Sequence, residues 1–136
     1  MRRRIVRKID LDAIPEMQNK THADHLLILS DQTTIIVEET RNAKTKDVHQ
    51  LQQTLQYIRK QPIAQLLGIP DLSKIVCLLH YKKCNSMMYR YIIQQQRTFI
   101  KRYNTPLITA NCINQIRYKL KIDRTQNRTT HEASKA

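Results

Sequence analysis

The stretch His22-Ala23-Asp24-His25-Leu26-Leu27-Ile28-Leu29-Ser30-Asp31-Gln32-Thr33-Thr34-Ile35-Ile36-Val37-Glu38-Glu39-Thr40-Arg41 decides the fold. Residues 25–30 form a short apolar run, Asp31-Gln32 favours a turn, and residues 33–37 begin a second run rich in β-branched side chains. Such side chains suit a pleated, half-buried surface. Two runs of this kind joined by a short polar link predict an antiparallel β-hairpin. Its charges gather at one end: Asp24 opens the first strand, and Glu38-Glu39-Thr40-Arg41 closes the second. Antiparallel pairing sets the start of one strand beside the end of the next, so these carboxylates meet at one sheet edge. Residues two apart share a strand face, which pairs Glu38 with Thr40 on one face and Glu39 with Arg41 on the other.

Beyond the hairpin, a polar stretch, residues 42–46, leads into a helix with Thr45 or Asp47 as its expected cap. Val48, Leu51, Leu55 and Ile58 recur at helical spacing and form one apolar stripe. Gln61-Pro62 ends or kinks that helix, and residues 63–69 add a short helical turn before Gly68 and Pro70. Residues 74–81 read as a buried strand. Asn85 or Ser86 then caps a long helix running to about Tyr103, with Met88, Ile92, Phe99 and Ile100 as apolar positions. Residues 106–110 form one more strand, and residues 113–122 a last helix with Arg117, Lys119 and Lys121 as its basic positions. Residues 1–20 are compatible with a short helix, a strand or both. From Asp123 onward the chain is polar and without apolar periodicity, which predicts a disordered tail over 123–136 after a single domain over 1–122. Strands alternating with helices after a hairpin imply an α/β sandwich with a mixed central sheet.

Composition narrows the partners. The 136-residue chain carries 24 Lys and Arg against 11 Asp and Glu, a formal net charge of +13. A cation of this size attracts polyanions, and nucleic acid is the commonest inside a cell. Arg2-Arg3-Arg4, Lys82-Lys83 and Lys101-Arg102 suit phosphate contacts. The three cysteines, Cys77, Cys84 and Cys112, do not form a disulfide framework, which points to a reducing, cytoplasmic compartment. Gly68 is the single glycine, so neither a Walker loop nor a dinucleotide fingerprint can be written. No secretory signal opens the chain, and no apolar run is long enough to span a membrane.

Clustered carboxylates bind a hard divalent cation such as Mg²⁺ through oxygen. Residues 22–29 followed by 35–40 resemble the PD-(D/E)XK nucleases, among them archaeal Holliday-junction resolvases and RecB-like nucleases. The family pattern is an Asp opening one strand and Glu-x-Lys ending the next. Asp24 matches the Asp and Glu38 the Glu. Gln53-Thr54-Leu55-Gln56-Tyr57 is similar to the Gln-x-x-x-Tyr element of RecB-like members, and helical spacing puts Gln53 and Tyr57 on one face. The resemblance implies a restriction-endonuclease-like three-layer sandwich and Mg²⁺- or Mn²⁺-dependent hydrolysis of DNA phosphodiesters. Asp24 and Glu38 would hold the metal, Glu39 would assist, and Gln53 and Tyr57 would orient the site. Arg41, Lys44, Lys46, Lys82 and Lys83 would bind nucleic acid. A homodimer follows by family analogy.

The pattern departs from the family at one position. Thr40 stands where the lysine belongs. Three readings follow: a cation from Lys44 or Lys46 substitutes, the register is Glu39-Thr40-Arg41, or the chain is a nuclease-fold module without cleavage that binds DNA, RNA or a protein. Cys77, His80, Cys84 and Cys112 lack the paired spacing of a zinc site, and Cys77 reads as a small buried hydrophobe. His22, His25 and His49 flank the carboxylates as candidate ligands or bases.

Overall fold

The structure, a computed structural model, describes residues 3–122; the tail expected over 123–136 lies outside the described residues. Five strands form one sheet in the order β1-β2-β3-β4-β5: β1 (Ile5–Asp10), β2 (His25–Leu29), β3 (Thr34–Asn42), β4 (Ile75–Lys83) and β5 (Leu107–Ala110). The first two pairings are antiparallel and the last two parallel, so the sheet is mixed. The predicted hairpin is β2–β3, and its turn places Gln32 at a positive φ of 73° while the Asp31 carboxylate accepts the Thr33 N–H. The ambiguous first segment is the edge strand β1 followed by two short 3-10 turns, Leu11–Ala13 and Pro15–Met17.

The helices are α1 (Thr45–Ile58), α2 (Gln61–Leu67), α3 (Ser86–Tyr103) and α4 (Ile113–Leu120). The crossovers from β3 to β4 and from β4 to β5 step the same way across the sheet. With the usual hand of such connections, both deliver their helices to one face. There Leu51, Leu55, Ile58, Ile92 and Phe99 pack on Leu26, Ile28, Ile36, Cys77 and Leu79. On the opposite face Leu120 and Ile122 close over Leu27, Leu29, Ile35, Val37 and Leu78. Arg3 ties this second layer to the hairpin, reaching the Leu120 carbonyl and, at 3.3 Å, the Asp31 carboxylate. The result is an α/β fold with a mixed five-stranded sheet covered on both faces, an arrangement compatible with a three-layer sandwich. Among the described residues no helix is long and apolar enough to cross a membrane.

Helix ends differ in detail from expectation. Neither Thr45 nor Asp47 caps α1: Lys44 is the N-cap residue, and Asp47, three positions on, accepts the Lys44 N–H at 2.8 Å. This is the returning half of a capping box, which satisfies an otherwise orphaned donor. Asn85 caps α3 as expected, accepting the Met88 N–H at 2.7 Å. Ile100 on that helix faces solvent, while Phe99 is fully buried.

One buried hydroxyl positions the start of the hairpin. Thr54 on α1 accepts the Ala23 N–H at 2.7 Å and donates to the Gln50 carbonyl at 2.8 Å. Both Thr54 and Ala23 are shielded from water, so Thr54→Val leaves a buried backbone donor without its acceptor. A loss of about 1–3 kcal/mol is expected, read as a lower urea midpoint with an unchanged m-value.

Candidate active site

Pairing between β2 and β3 stops at His25 and Val37, yet β3 continues to Asn42. Beyond Val37 the β2-side edge of β3 is met by Asp24. Its backbone N–H donates to the Val37 carbonyl at 3.0 Å, and its carboxylate accepts the Glu39 N–H at 2.7 Å. Asp24 is thereby locked beside the two glutamates.

The alternation expected from the strand holds. Glu38 shares the face of Ile36 and points under α1; Glu39 shares the face of Val37. Glu38 is only 5% exposed and Asp47, at the start of α1, only 2%. Burial, then the charges of Asp24 and Asp47 and a hydrogen bond to the Asp47 carboxyl, push the Glu38 pKa up to about 8; Lys46 pulls it the other way. Glu38 thus holds its proton at neutral pH, as one of several carboxyl groups crowded together must. Its Oε1 is buried with no hydrogen-bond partner among the described residues, a costly state that a donor or a cation would relieve.

Glu39 lies between two histidines, His80 Nδ1 at 3.2 Å and His25 Nδ1 at 3.7 Å. Burial, then the Lys8 charge, lower the His25 pKa against the pull of Glu39, Asp24 and Asp10. Glu39, Thr40, Arg41, His80 and Lys82 line a cavity of about 300 Å³ on this side. One strand end therefore presents a carboxyl cluster to α1 and a carboxylate–histidine group with two cations to the other side.

The residues predicted from the α1 motif stand further along the helix than Asp47. At 1.5 Å per residue, Gln53 stands about 9 Å and Tyr57 about 15 Å along the helix from Asp47. The half-buried Tyr57 ring is flanked by the ammonium groups of Lys20 at 4.7 Å and Lys60 at 5.5 Å. Among the described residues no hydrogen bond or ion pair joins Gln53 or Tyr57 to the carboxylates. On the same side of the helix, Gln50 and Thr54 meet the residues just before Asp24: the Gln50 amide donates to the His22 carbonyl at 3.3 Å, and Thr54 accepts the Ala23 N–H. Of the basic candidates, Lys44 and Lys46 are exposed at the start of α1, and Arg41, Lys82 and Lys83 at the ends of β3 and β4. His49 is exposed on α1, and His22 pairs with Asp12 at 3.4 Å. Cys77 is buried in β4, where burial raises its thiol pKa. The sequence offers Asp47 only as a helix cap. Its position one turn into the helix after a strand that ends in an inward-facing glutamate was the available signal.

The donor set suits a hard cation. Among the described residues no three His, Cys, Asp or Glu side chains gather as a cage. Mg²⁺ needs no cage, since it keeps several waters and takes one or two carboxylates together with substrate phosphate oxygens. Glu38, with a free buried oxygen, and Asp24 beside it meet that requirement. No family model matches the chain, and neither a curated protein nor a solved structure matches it.

The raised Glu38 pKa has a stability consequence. Between the unfolded value near 4.5 and about 8, the folded chain binds a proton that the unfolded chain has released. Stability contributed by this group is therefore lost as pH rises through that window. Glu38→Gln keeps the shape without the proton. The difference in melting temperature between Glu38→Gln and the parent chain is expected to grow in the variant's favour from about pH 5 to about pH 8, measured with chelator present. A difference independent of pH would show that Glu38 titrates normally.

Proposed function

We propose that the chain is a nuclease-like protein that binds DNA and hydrolyses phosphodiester bonds with a divalent cation held by Asp24 and Glu38. The observation that carries the reading is the buried Glu38 carboxyl, crowded by Asp24 and Asp47, with one oxygen unpartnered. It agrees with the resemblance of residues 22–57 to PD-(D/E)XK nucleases and with the mixed sheet begun by a hairpin. Bound there, Mg²⁺ or Mn²⁺ would activate water and stabilise the leaving oxygen.

The chain's own residues supply the rest. Asp24 is oriented by the Glu39 N–H, so its carboxylate is presented without freedom to turn away. Asp47 receives the Glu38 hydrogen bond and fixes that side chain under α1. Lys46, whose charge is felt by Glu38, takes the electrostatic part of the lysine that Thr40 replaces. It can stabilise charge on a scissile phosphate from the helix rather than from the strand. Arg41, Lys82 and Lys83 hold flanking phosphates, which fixes register without reading sequence.

The test is incubation of the purified protein with single-stranded, duplex and branched DNA in Mg²⁺ or Mn²⁺. Cleavage is expected, and Glu38→Gln and Asp24→Asn should abolish it. The asparagine can still accept the Glu39 N–H, so loss there reports the charge. Lys46→Ala should slow cleavage by about a hundredfold, the order found when one electrostatic stabiliser is removed. Absence of cleavage on every substrate, or cleavage indifferent to both carboxylate variants, refutes the reading.

Thr40 itself favours a second reading, a nuclease fold that binds nucleic acid without cutting it. That reading expects salt-sensitive DNA binding with no metal-dependent cleavage, and gain of cleavage in Thr40→Lys.

A further inference from the structure

A second, larger concavity lies beyond the carboxylates at the carboxyl ends of β3 and β4. It encloses about 880 Å³ and is lined by Asn42 from β3, Tyr81, Lys82 and Lys83 from β4, Tyr89 from α3 and Asn111 after β5, among others. In open α/β sheets, ligands bind outside the carboxyl ends of the strands. Lys82 also lines the smaller cavity beside Glu39, so the two concavities share one cation. At about 3.3 Å per residue, Asn42 is about 13 Å beyond Glu38 along β3.

The chemistry of the lining is selective. It contains two lysines and no acidic side chain, so it attracts an anion. Tyr89 stands at the rim, 55% exposed. Among the described residues its ring makes no aromatic or cation contact. Tyr81 is buried and forms part of the lining, and the Asn42 and Asn111 amides offer both donors and acceptors. Cations, an available aromatic face and amides within one concavity are the parts used to hold a nucleotide. The phosphate meets the cations, the base stacks on the ring, and the amides reach the base edge.

We propose that this groove binds an unpaired nucleotide of a DNA strand, with the base on Tyr89 and its phosphates on Lys82 and Lys83. Stacking on Tyr89 needs a base whose face is free. The groove therefore selects single-stranded or frayed DNA over continuous duplex. The inference rests on the reading of the chain as a DNA-binding protein and adds its preferred substrate class. Lys82 sets the bound nucleotide beside the cavity at Glu39.

The test measures binding in chelator, where no cleavage occurs. Fluorescence anisotropy is recorded for a labelled oligothymidylate and for a duplex of equal length. The full chain is compared with Tyr89→Ala, Tyr89→Phe and the pair Lys82→Ala/Lys83→Ala. Tighter binding of the single strand is expected. Tyr89→Ala should weaken it about tenfold, in line with loss of one stacked base, while Tyr89→Phe and the duplex affinity change less than about twofold. The lysine pair should weaken both DNAs and reduce the salt slope. Single-strand binding indifferent to Tyr89→Ala, or an equal loss on duplex, overturns the groove and leaves the DNA-binding reading standing. Absence of binding to either DNA overturns both. Tyr89 is at the surface, so an unchanged far-UV spectrum is expected to accompany each Tyr89 variant.

Discussion

The arrangement depends on one mismatch in strand length: β2 ends its pairing at the level of Val37, and β3 runs on to Asn42. A buried or half-buried strand cannot leave its backbone donors alone without a cost of about 1–3 kcal/mol each. Asp24 resolves the first of them with its side chain, accepting the Glu39 N–H in place of a neighbouring strand. A carboxylate is thus fixed where a backbone carbonyl would otherwise sit. The same lengthening of β3 carries Glu38 past the hairpin and under the first turn of α1. There Asp47, already committed to closing the helix terminus through the Lys44 N–H, becomes its neighbour. Three acidic groups converge because each meets a local structural demand.

Much of this was legible in the sequence because it rests on local pattern. The hairpin followed from two apolar runs and a polar link. The stripe Val48, Leu51, Leu55 and Ile58 fixed the inward face of α1, and Asn85 announced the start of α3. Face alternation in a strand is obligatory, so Glu38 and Glu39 could be assigned to opposite sides before any coordinates. What stayed hidden depends on partners distant in the chain. Residues 5–10 form a strand because β2 offers them an antiparallel edge; their own apolar content is too thin to announce it. Asp47 carries the same letter whether it caps a helix or faces a buried glutamate. Gln53 and Tyr57 share a helical face, but periodicity cannot say which face meets Asp24. The helix meets that segment through Gln50 and Thr54.

The electrostatics invert the chain's overall character. With 24 basic residues against 11 acidic ones, the mean field is strongly positive, yet at Glu38 the negative charges of Asp24 and Asp47 outweigh the positive charge of Lys46. An excess of carboxylates in low dielectric is resolved in one of two ways: a proton is taken up or a cation is. The raised Glu38 pKa is the first solution. Metal binding would be the second, and the two compete for the same carboxyl group, so affinity for a divalent cation would rise with pH as that proton leaves. The positive surroundings act on longer range. In the proposed function they would concentrate a polyanion around these carboxyl groups, countering the repulsion that isolated carboxylates exert on phosphate.

Thr40 takes its meaning from this geometry. On β3 it shares the face of Glu38, two residues away, so a lysine there would approach the carboxyl cluster from the strand side. Lys46 approaches it from the helix side, one residue before Asp47. A charge on a helix terminus has a longer path to any fixed point than one on a neighbouring strand residue, and its four-carbon stem is free to move. Exchanging a strand lysine for a helix lysine therefore keeps the sign of the field at Glu38 while loosening its position. A loosely held ammonium still screens phosphate charge, but it is poorly suited to orienting a water for attack, because that task depends on placement to within a fraction of an ångström. In the proposed function, cation binding by Asp24 and Glu38 would not depend on that placement. The substitution would accordingly bear on the rate of the chemical step far more than on recognition of DNA or metal, and the two properties would separate along the line between strand and helix.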